Sequence, residues 1–226
     1  MPPEQPQPPT ALNREAYFPT LIYFRDLPGG DALTTQLAAK ICAWREQDPA
    51  GVVRSNIRQL GGWHSALDMH RRDEYAALVA RVLEAASEIF QDLGHDAAYA
   101  PAIDNMWANI SPRGAYNRSH IHPNVLWSGV YYVQAPAGCG RIYFADPRPQ
   151  ALAMTPHFDP SQPRKTECWS EVYFEPVAGR LIVFPAWLRH EVEPNMSEQE
   201  GAAGERISVS FNLVQRRLGA GTAPSL

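Results

Sequence analysis

Apolar residues recur at three- and four-residue spacing in two stretches of the first half of the chain. Leu33, Leu37, Ile41 and Trp44 form one helical stripe, with Asp31 as its expected N-cap and Asp48-Pro49 as its end. Tyr75, Leu78, Val79, Val82, Leu83, Ala86, Ile89 and Phe90 form a second stripe over about residues 73–93, closed by Gly94. Both stripes read as packing faces, not as a cofactor cradle. After Gly94 the pattern shifts to short β-rich runs at 106–110, 126–134, 141–144, 171–174, 180–184, 190–192 and 206–214, separated by Pro, Gly, Asn and Asp. No helical pattern lies between these runs, which argues against βαβ units and points to a sandwich, jelly roll or barrel covered by the two early helices. The expected fold class is mainly β with flanking α-helices.

The last run has the clearest alternation. Arg206, Ser208, Ser210 and Asn212 leave one face, and Ile207, Val209, Phe211 and Leu213 leave the other. The apolar row must meet the helices or a facing sheet. The polar row either faces solvent or lines a pocket, and alternation alone leaves both open.

Residues 1–16 hold five prolines and little that packs, and are expected to be a flexible tail. With no internal repeat and no Gly/Ser linker, residues 17–226 read as one domain. Its helical part covers about 17–95 and its β part about 96–218. At 45% apolar, the chain can bury a core without staples. Its net charge of −4 gives no electrostatic case for DNA, RNA or an anionic membrane as partner. No apolar run reaches membrane-spanning length, and no basic segment followed by an apolar one opens the chain, so a cytoplasmic protein is expected. Cys42, Cys139 and Cys168 have no CxxC spacing and read as free thiols of a reducing compartment. Association as a homodimer is left open.

Seven histidines could carry chemistry. His64, His70, His95 and His157 lie in loop or helix-end contexts where ordinary roles prevail. His120 and His122 differ, because two residues at i and i+2 of an extended segment send both imidazoles to one face. Pro123 then suggests a sheet rim, and His190 follows a strand and a turn some seventy residues later. Two ligands from one strand and a third from a distant one is the arrangement of a facial-triad non-haem iron site, although imidazole suits zinc, copper and nickel too.

The motifs Asn109-x4-Gly114-x5-His120-x-His122-Pro123, SGVYYV at 128–133, IYFADP at 142–147, FPAWLRH at 184–190 and RISVSFN at 206–212 carry a resemblance, with GGWHS at 61–65 as a looser match. The stretch 105–212 resembles the iron(II)- and 2-oxoglutarate-dependent oxygenases, and among them a bacterial and phage group with few assigned substrates. The resemblance implies a double-stranded β-helix, a cupin-like jelly roll with helices on one sheet. It implies Fe(II) as metal, 2-oxoglutarate and dioxygen as co-substrates, and hydroxylation of a small molecule or a peptide side chain with release of succinate and CO2. It makes His120 the first iron ligand and His190 the last. Arg206 would hold the distal carboxylate of 2-oxoglutarate with Ser208 beside it, and Asn109 would contact the same molecule. A hydroxyl would come from Tyr131 or Tyr132, the assignment made here being Tyr131, with the other left to the core.

One departure stands out. The family pattern is HxD or HxE, and His122 holds the carboxylate's place. Three histidines, two histidines plus water, or a carboxylate from elsewhere such as Asp146 are the options, and the position of His122 favours three histidines. Three rival readings remain. A three-histidine cupin would be a dioxygenase without 2-oxoglutarate, but residues 124–127 lack the expected acid, Trp187 replaces a glycine, and Arg206 with Ser208 would have no use there. A non-catalytic β-sandwich would leave the histidines on the surface. Structural zinc lacks its cysteine pair. Trp107, Trp127 and Trp187 are expected to fill the core and the long loop 146–171 to cover the active site as a lid, while a local basic rim of Arg113, Arg118 and Arg141 is left open.

Overall fold

Strand β10 (Arg206–Arg217) lies between β3 (Tyr99–Ser111) and β5 (Trp127–Gln134), antiparallel to both. From this centre the sheet extends through β8 (Arg180–Pro185) to β1 (Tyr23–Asp26) on one side and to β2 (Trp63–His64) on the other, in the order β1-β8-β5-β10-β3-β2. A second sheet has the order β4-β9-β6-β7, formed by β4 (Asn117–His120), β9 (His190–Val192), β6 (Ile142–Ala145) and β7 (Glu171–Phe174). Two antiparallel sheets with crossovers between distant strands make the expected jelly roll. The computed structural model describes residues 15–27, 30–154 and 156–219, so the Pro-rich tail lies outside the described residues except for Glu15 and Ala16.

Helices α1 (Gly30–Gln47) and α3 (Ala76–Asp92) cover the outer face of the larger sheet. The α3 stripe buries Leu78, Val82, Ala86, Ile89 and Phe90 as its periodicity requires, and Gly94 at φ +66° follows its end. A 3₁₀ turn at Asp73–Tyr75 replaces the first turn expected of this helix. The first helix begins at Gly30, so Asp31 lies inside it and not at its N-cap, and the Asp31 side chain lies outside the described residues. Trp44 of α1 packs between Trp63 and Tyr75, each ring 5.7 Å away, which ties the helices to the edge strand β2. A short helix α2 (Ala50–Arg54) leads toward that edge.

The strand periodicity sorts residues between two cores. Ile207, Val209, Phe211 and Leu213 of β10 join Met106, Ala108 and Ile110 of β3 under the helices. Val130, Tyr132, Ile182 and Phe184 face the other way, meeting Ile142 and Phe144 of the smaller sheet. Gly129 allows the sheet to close, because a Cβ there would stand 2.2 Å from the Phe211 ring. Strands β1 and β2 were not expected. With two residues, β2 is too short to show alternation, and β1 is an edge strand held by β8. Strand β3 begins well before residue 106 because the far end of β10 pairs with it as far as Tyr99, despite Pro101.

Candidate metal centre

His120 and His190 are partners in the β4–β9 ladder, where the strands are irregular between Asn117 and His120. Strand β4 ends at His120, so His122 lies beyond it and not on the same strand as the spacing suggested. Its N–H donates to the Ala186 carbonyl at 2.9 Å, which lays residue 122 along the β8–β9 turn and returns its ring to the first. One ligand atom from each of His120, His122 and His190 lies within 4.8 Å of the other two.

Hydrogen bonds decide which nitrogens are free. Nδ1 of His120 lies 2.6 Å from the Arg118 carbonyl, and Nδ1 of His190 lies 2.9 Å from the Leu188 carbonyl. A carbonyl only accepts, so both Nδ1 atoms carry the proton and both Nε2 atoms present lone pairs. Nε2 of His122 faces Nε2 of His190 at 3.3 Å. Burial lowers the pKa of His122 to about 4, with His120 adding to the effect. Burial lowers that of His190 to about 3, and His120 and His122 act in the same direction. Neutral imidazoles with converging lone pairs are what a divalent metal requires. Two nitrogens at right angles on one ion, each ~2.1 Å away, would stand about 3 Å apart, close to the spacing found. The three histidines therefore fit Fe(II).

No carboxylate joins this cluster among the described residues. Asp146 is excluded as the missing ligand. It accepts from the backbone N–H and guanidinium of Arg148 and lines a different cavity.

The triad opens into a cavity of about 900 Å³, bounded by the inner faces of β3, β5 and β10 and by residues 54–60. Arg206, Ser208 and Ser210 of the polar row line it, which settles for them the choice between solvent and pocket, while Asn212 is hydrogen-bonded to Ser128 and Asn105. Arg206 is only 3% exposed. Its Nη1 donates to the Cys139 carbonyl, and to those of Gly140 and Glu193 at 3.4 and 3.3 Å. Among the described residues no carboxylate lies within ion-pair distance of it. Burial pulls its pKa down, yet a guanidinium stays charged at neutral pH. This buried cation without a counter-anion, with Ser208 on the same wall, fits a carboxylate ligand. Asn109 also lines the cavity and donates from Nδ2 to Ser210 Oγ at 3.3 Å.

Tyr131 does not reach this cavity. Alternation along β5 sends it into the core beneath the helices, where its hydroxyl has no partner, and sends Tyr132 to the cavity wall. Of the three tryptophans, Trp127 is core, Trp187 is 53% exposed, and Trp107 lines the cavity 6.3 Å from the His122 ring. His64, read as ordinary, also lines it, stacked on Trp107 at 5.6 Å and 10° and opposite Asn109 in the β2–β3 register. The alternation of buried Trp63 with His64 was the available signal, in a strand too short to register. The other histidines stay apart from the site. His70 sits in a 3₁₀ turn, His95 stacks on Phe90, and His157 is exposed. The loop 146–171, expected as a lid, does not border this cavity with any of its described residues. Its residues line a second cavity with residues 15–22, while 54–60 and 116–119 border the first.

Residues 105–212 match the sequence family described as "Putative 2OG-Fe(II) oxygenase". The chain thus carries a 2OG-Fe(II) oxygenase domain over these residues, just under half of its length. It is accordingly a 2-oxoglutarate-dependent dioxygenase whose cofactors are Fe(II) and 2-oxoglutarate. Among solved structures, the oxygenase is similar to a prolyl-4-hydroxylase of Pseudomonas putida at 20% identity and a TM-score of 0.54, over 87% of this chain and 94% of that one. It is similar to the epimerase SnoN in complex with Fe3+, alpha ketoglutarate and nogalamycin RO at 14% identity and a TM-score of 0.54, over 92% and 89%. It also resembles AviO1 from Streptomyces viridochromogenes Tue57 at 14% identity and a TM-score of 0.51, over 88% and 89%. At these identities the likeness is one of fold. No curated protein matches the oxygenase. No helix among its described residues is long and apolar enough to cross a membrane.

Proposed function

We propose that this oxygenase hydroxylates a small molecule or a peptide side chain, with His120, His122 and His190 holding the iron and Arg206, Ser208 and Asn109 holding 2-oxoglutarate. The observation that carries the reading is a single cavity bounded by three converging imidazoles and by a buried guanidinium without a carboxylate partner. When bound, Fe(II) with 2-oxoglutarate and dioxygen supplies the oxidation, in which one oxygen atom enters a substrate C–H bond as hydroxyl and the other leaves in succinate, with CO2.

The chain's own residues bind, orient and exclude water. The planar guanidinium of Arg206 offers a carboxylate charge-assisted hydrogen bonds, and the Ser208 hydroxyl, two residues on along the same face, adds a further donor. The Nδ1–H bonds of His120 and His190 to carbonyls hold their rings in the orientation that presents Nε2. Val130, Ile142 and Phe184 make the wall beside the imidazoles apolar. No side chain has to act as nucleophile or general base. A peptide side chain is kept as a substrate class because one protein of similar fold is a prolyl-4-hydroxylase. Three free cysteines, one of them exposed, suit the reducing cytoplasm in which we place the oxygenase.

The test is anaerobic titration of the Fe(II)-loaded protein with 2-oxoglutarate, followed by visible absorption, for wild type and Arg206→Ala. A charge-transfer band that weakens or disappears in the variant supports the assignment. Equal bands at equal affinity remove Arg206 from it. Iron bound without any band points instead to a three-histidine dioxygenase that does not use 2-oxoglutarate.

A further inference from the structure

Among the described residues, three arginines line the cavity and no aspartate, glutamate or lysine does, in a chain whose net charge is −4. The three differ in what already occupies them. Arg206 lies at the buried end and is held by backbone carbonyls. Arg54 is paired with Asp48 and donates to the His64 carbonyl at 3.1 Å. Arg118 is exposed at the mouth, where its side chain hydrogen-bonds the Tyr116 hydroxyl. Among the described residues no carboxylate lies within ion-pair distance of Arg118. Its own carbonyl receives the His120 Nδ1–H, so this guanidinium belongs to the residue that orients one of the three imidazoles.

A charge balance gives this arrangement a direction. It rests on the three-histidine reading of the site. A divalent ion with three neutral ligands, the Arg206 guanidinium and dianionic 2-oxoglutarate together leave one positive charge. A carboxylate ligand in the place of His122 would have cancelled it. Arg118 adds a second, and no acidic side chain in the lining offsets either. Like charges confined to a concave site raise the local concentration of anions.

We infer that the substrate of this oxygenase carries an anionic group, a carboxylate or a phosphate, which Arg118 holds at the cavity mouth while the reacting carbon lies deeper, toward the imidazoles. The substrate is a small molecule. The negative net charge of the chain opposes approach of an extended polyanion, and the cavity volume suits a compact ligand.

The experiment uses three probes of one shape: benzoate, phenyl phosphate and benzamide. Each is titrated calorimetrically into the anaerobic Fe(II)·2-oxoglutarate complex of wild type and of Arg118→Gln. Benzoate or phenyl phosphate is expected to bind about five- to tenfold more tightly than benzamide, the scale of an exposed charge pair with one hydrogen bond. Arg118→Gln is expected to remove that preference and to leave the benzamide and 2-oxoglutarate affinities unchanged. Which anion binds better identifies the group. Equal binding of all three probes overturns the inference, as does a preference that survives in Arg118→Gln. A preference accompanied by loss of the charge-transfer band overturns it as well, since it reports displacement of 2-oxoglutarate from Arg206. If the band never forms, the proposed function fails first. The same titration on metal-free protein then decides the mouth separately, because an Arg118-dependent anion preference must still appear there.

Discussion

His120 and His190 are direct partners across the β4–β9 ladder, with ring centroids 4.3 Å apart. Backbone pairing therefore sets two of the three imidazoles. The third, His122, comes from chain that has already left the strand, and it is held by its backbone bond to Ala186. This makes His122 the proposed ligand whose role mutation reads most cleanly.

His122→Ala is expected to weaken Fe(II) binding by about a hundredfold or more, beyond the ten- to hundredfold cost of losing a supporting partner. His122→Asp restores the carboxylate common in the family and is expected to retain iron. Anaerobic equilibrium dialysis of both variants checks this. Undiminished affinity in His122→Ala would remove the residue from the ligand set.

Gly140→Ala should separate the two halves of the site. Gly140 has φ +91°, and a Cβ there would stand 2.4 Å from the Glu193 carbonyl, 2.8 Å from that of Pro194 and 2.9 Å from Arg206 Nη1. The carbonyls of Glu193, Cys139 and Gly140 itself form the cradle that holds the buried guanidinium, so the Cβ would press on that cradle. The affinity for 2-oxoglutarate is expected to fall by about tenfold, the scale of one charge-assisted hydrogen bond, with Fe(II) affinity unchanged. A parallel loss of both would indicate general unfolding instead.

Tyr131→Phe tests the sorting of residues along β5. The Tyr131 hydroxyl is buried without a partner, so its removal should leave stability unchanged or raise it by about 1 kcal/mol, with no effect on 2-oxoglutarate affinity. Urea unfolding and a binding titration measure the two. A clear drop in 2-oxoglutarate affinity would place Tyr131 at the site after all.

Acid sensitivity should trace in part to Glu193. The Arg141 guanidinium, bonded at 2.9 and 3.0 Å, is the main cause that lowers the Glu193 pKa to about 2. A carboxylate whose folded pKa is depressed stabilises the fold above its unfolded value near 4.3. That contribution is lost as pH falls toward 2. Glu193→Gln is expected to lower Tm by about 2–4 °C at pH 7, since the pair is partly exposed and screened. The difference from wild type should narrow as pH falls below 4. A constant difference across that range would show that the ion pair contributes nothing.

Much of the fold was legible because its signals are local. The α3 stripe, the closing Gly94 and the alternation of β10 each follow from side-chain geometry within one element. The three clustered histidines also stood out in the sequence, although the two-residue spacing placed His122 on a strand that ends at His120. The failures share a cause. Alternation says that Tyr131 and Tyr132 face opposite ways, but not which of those ways is the cavity. Nothing local says that His64 of a two-residue strand will stack on Trp107, or that the loop 146–171 will border a different cavity.

By itself, then, the sequence determined the classes of element, the two rows of β10 and the residue types able to bind a metal and an anion. Only the tertiary structure decided which row faces inward, which tyrosine reaches the cavity, and that three histidines and one buried arginine, held by backbone carbonyls, share one space. The physical reason is that periodicity acts over a few residues, whereas sheet order and register join strands far apart in the sequence, as Ser208 joins Asn109. The orientation of a face is a property of that long-range pairing and of what the helices cover.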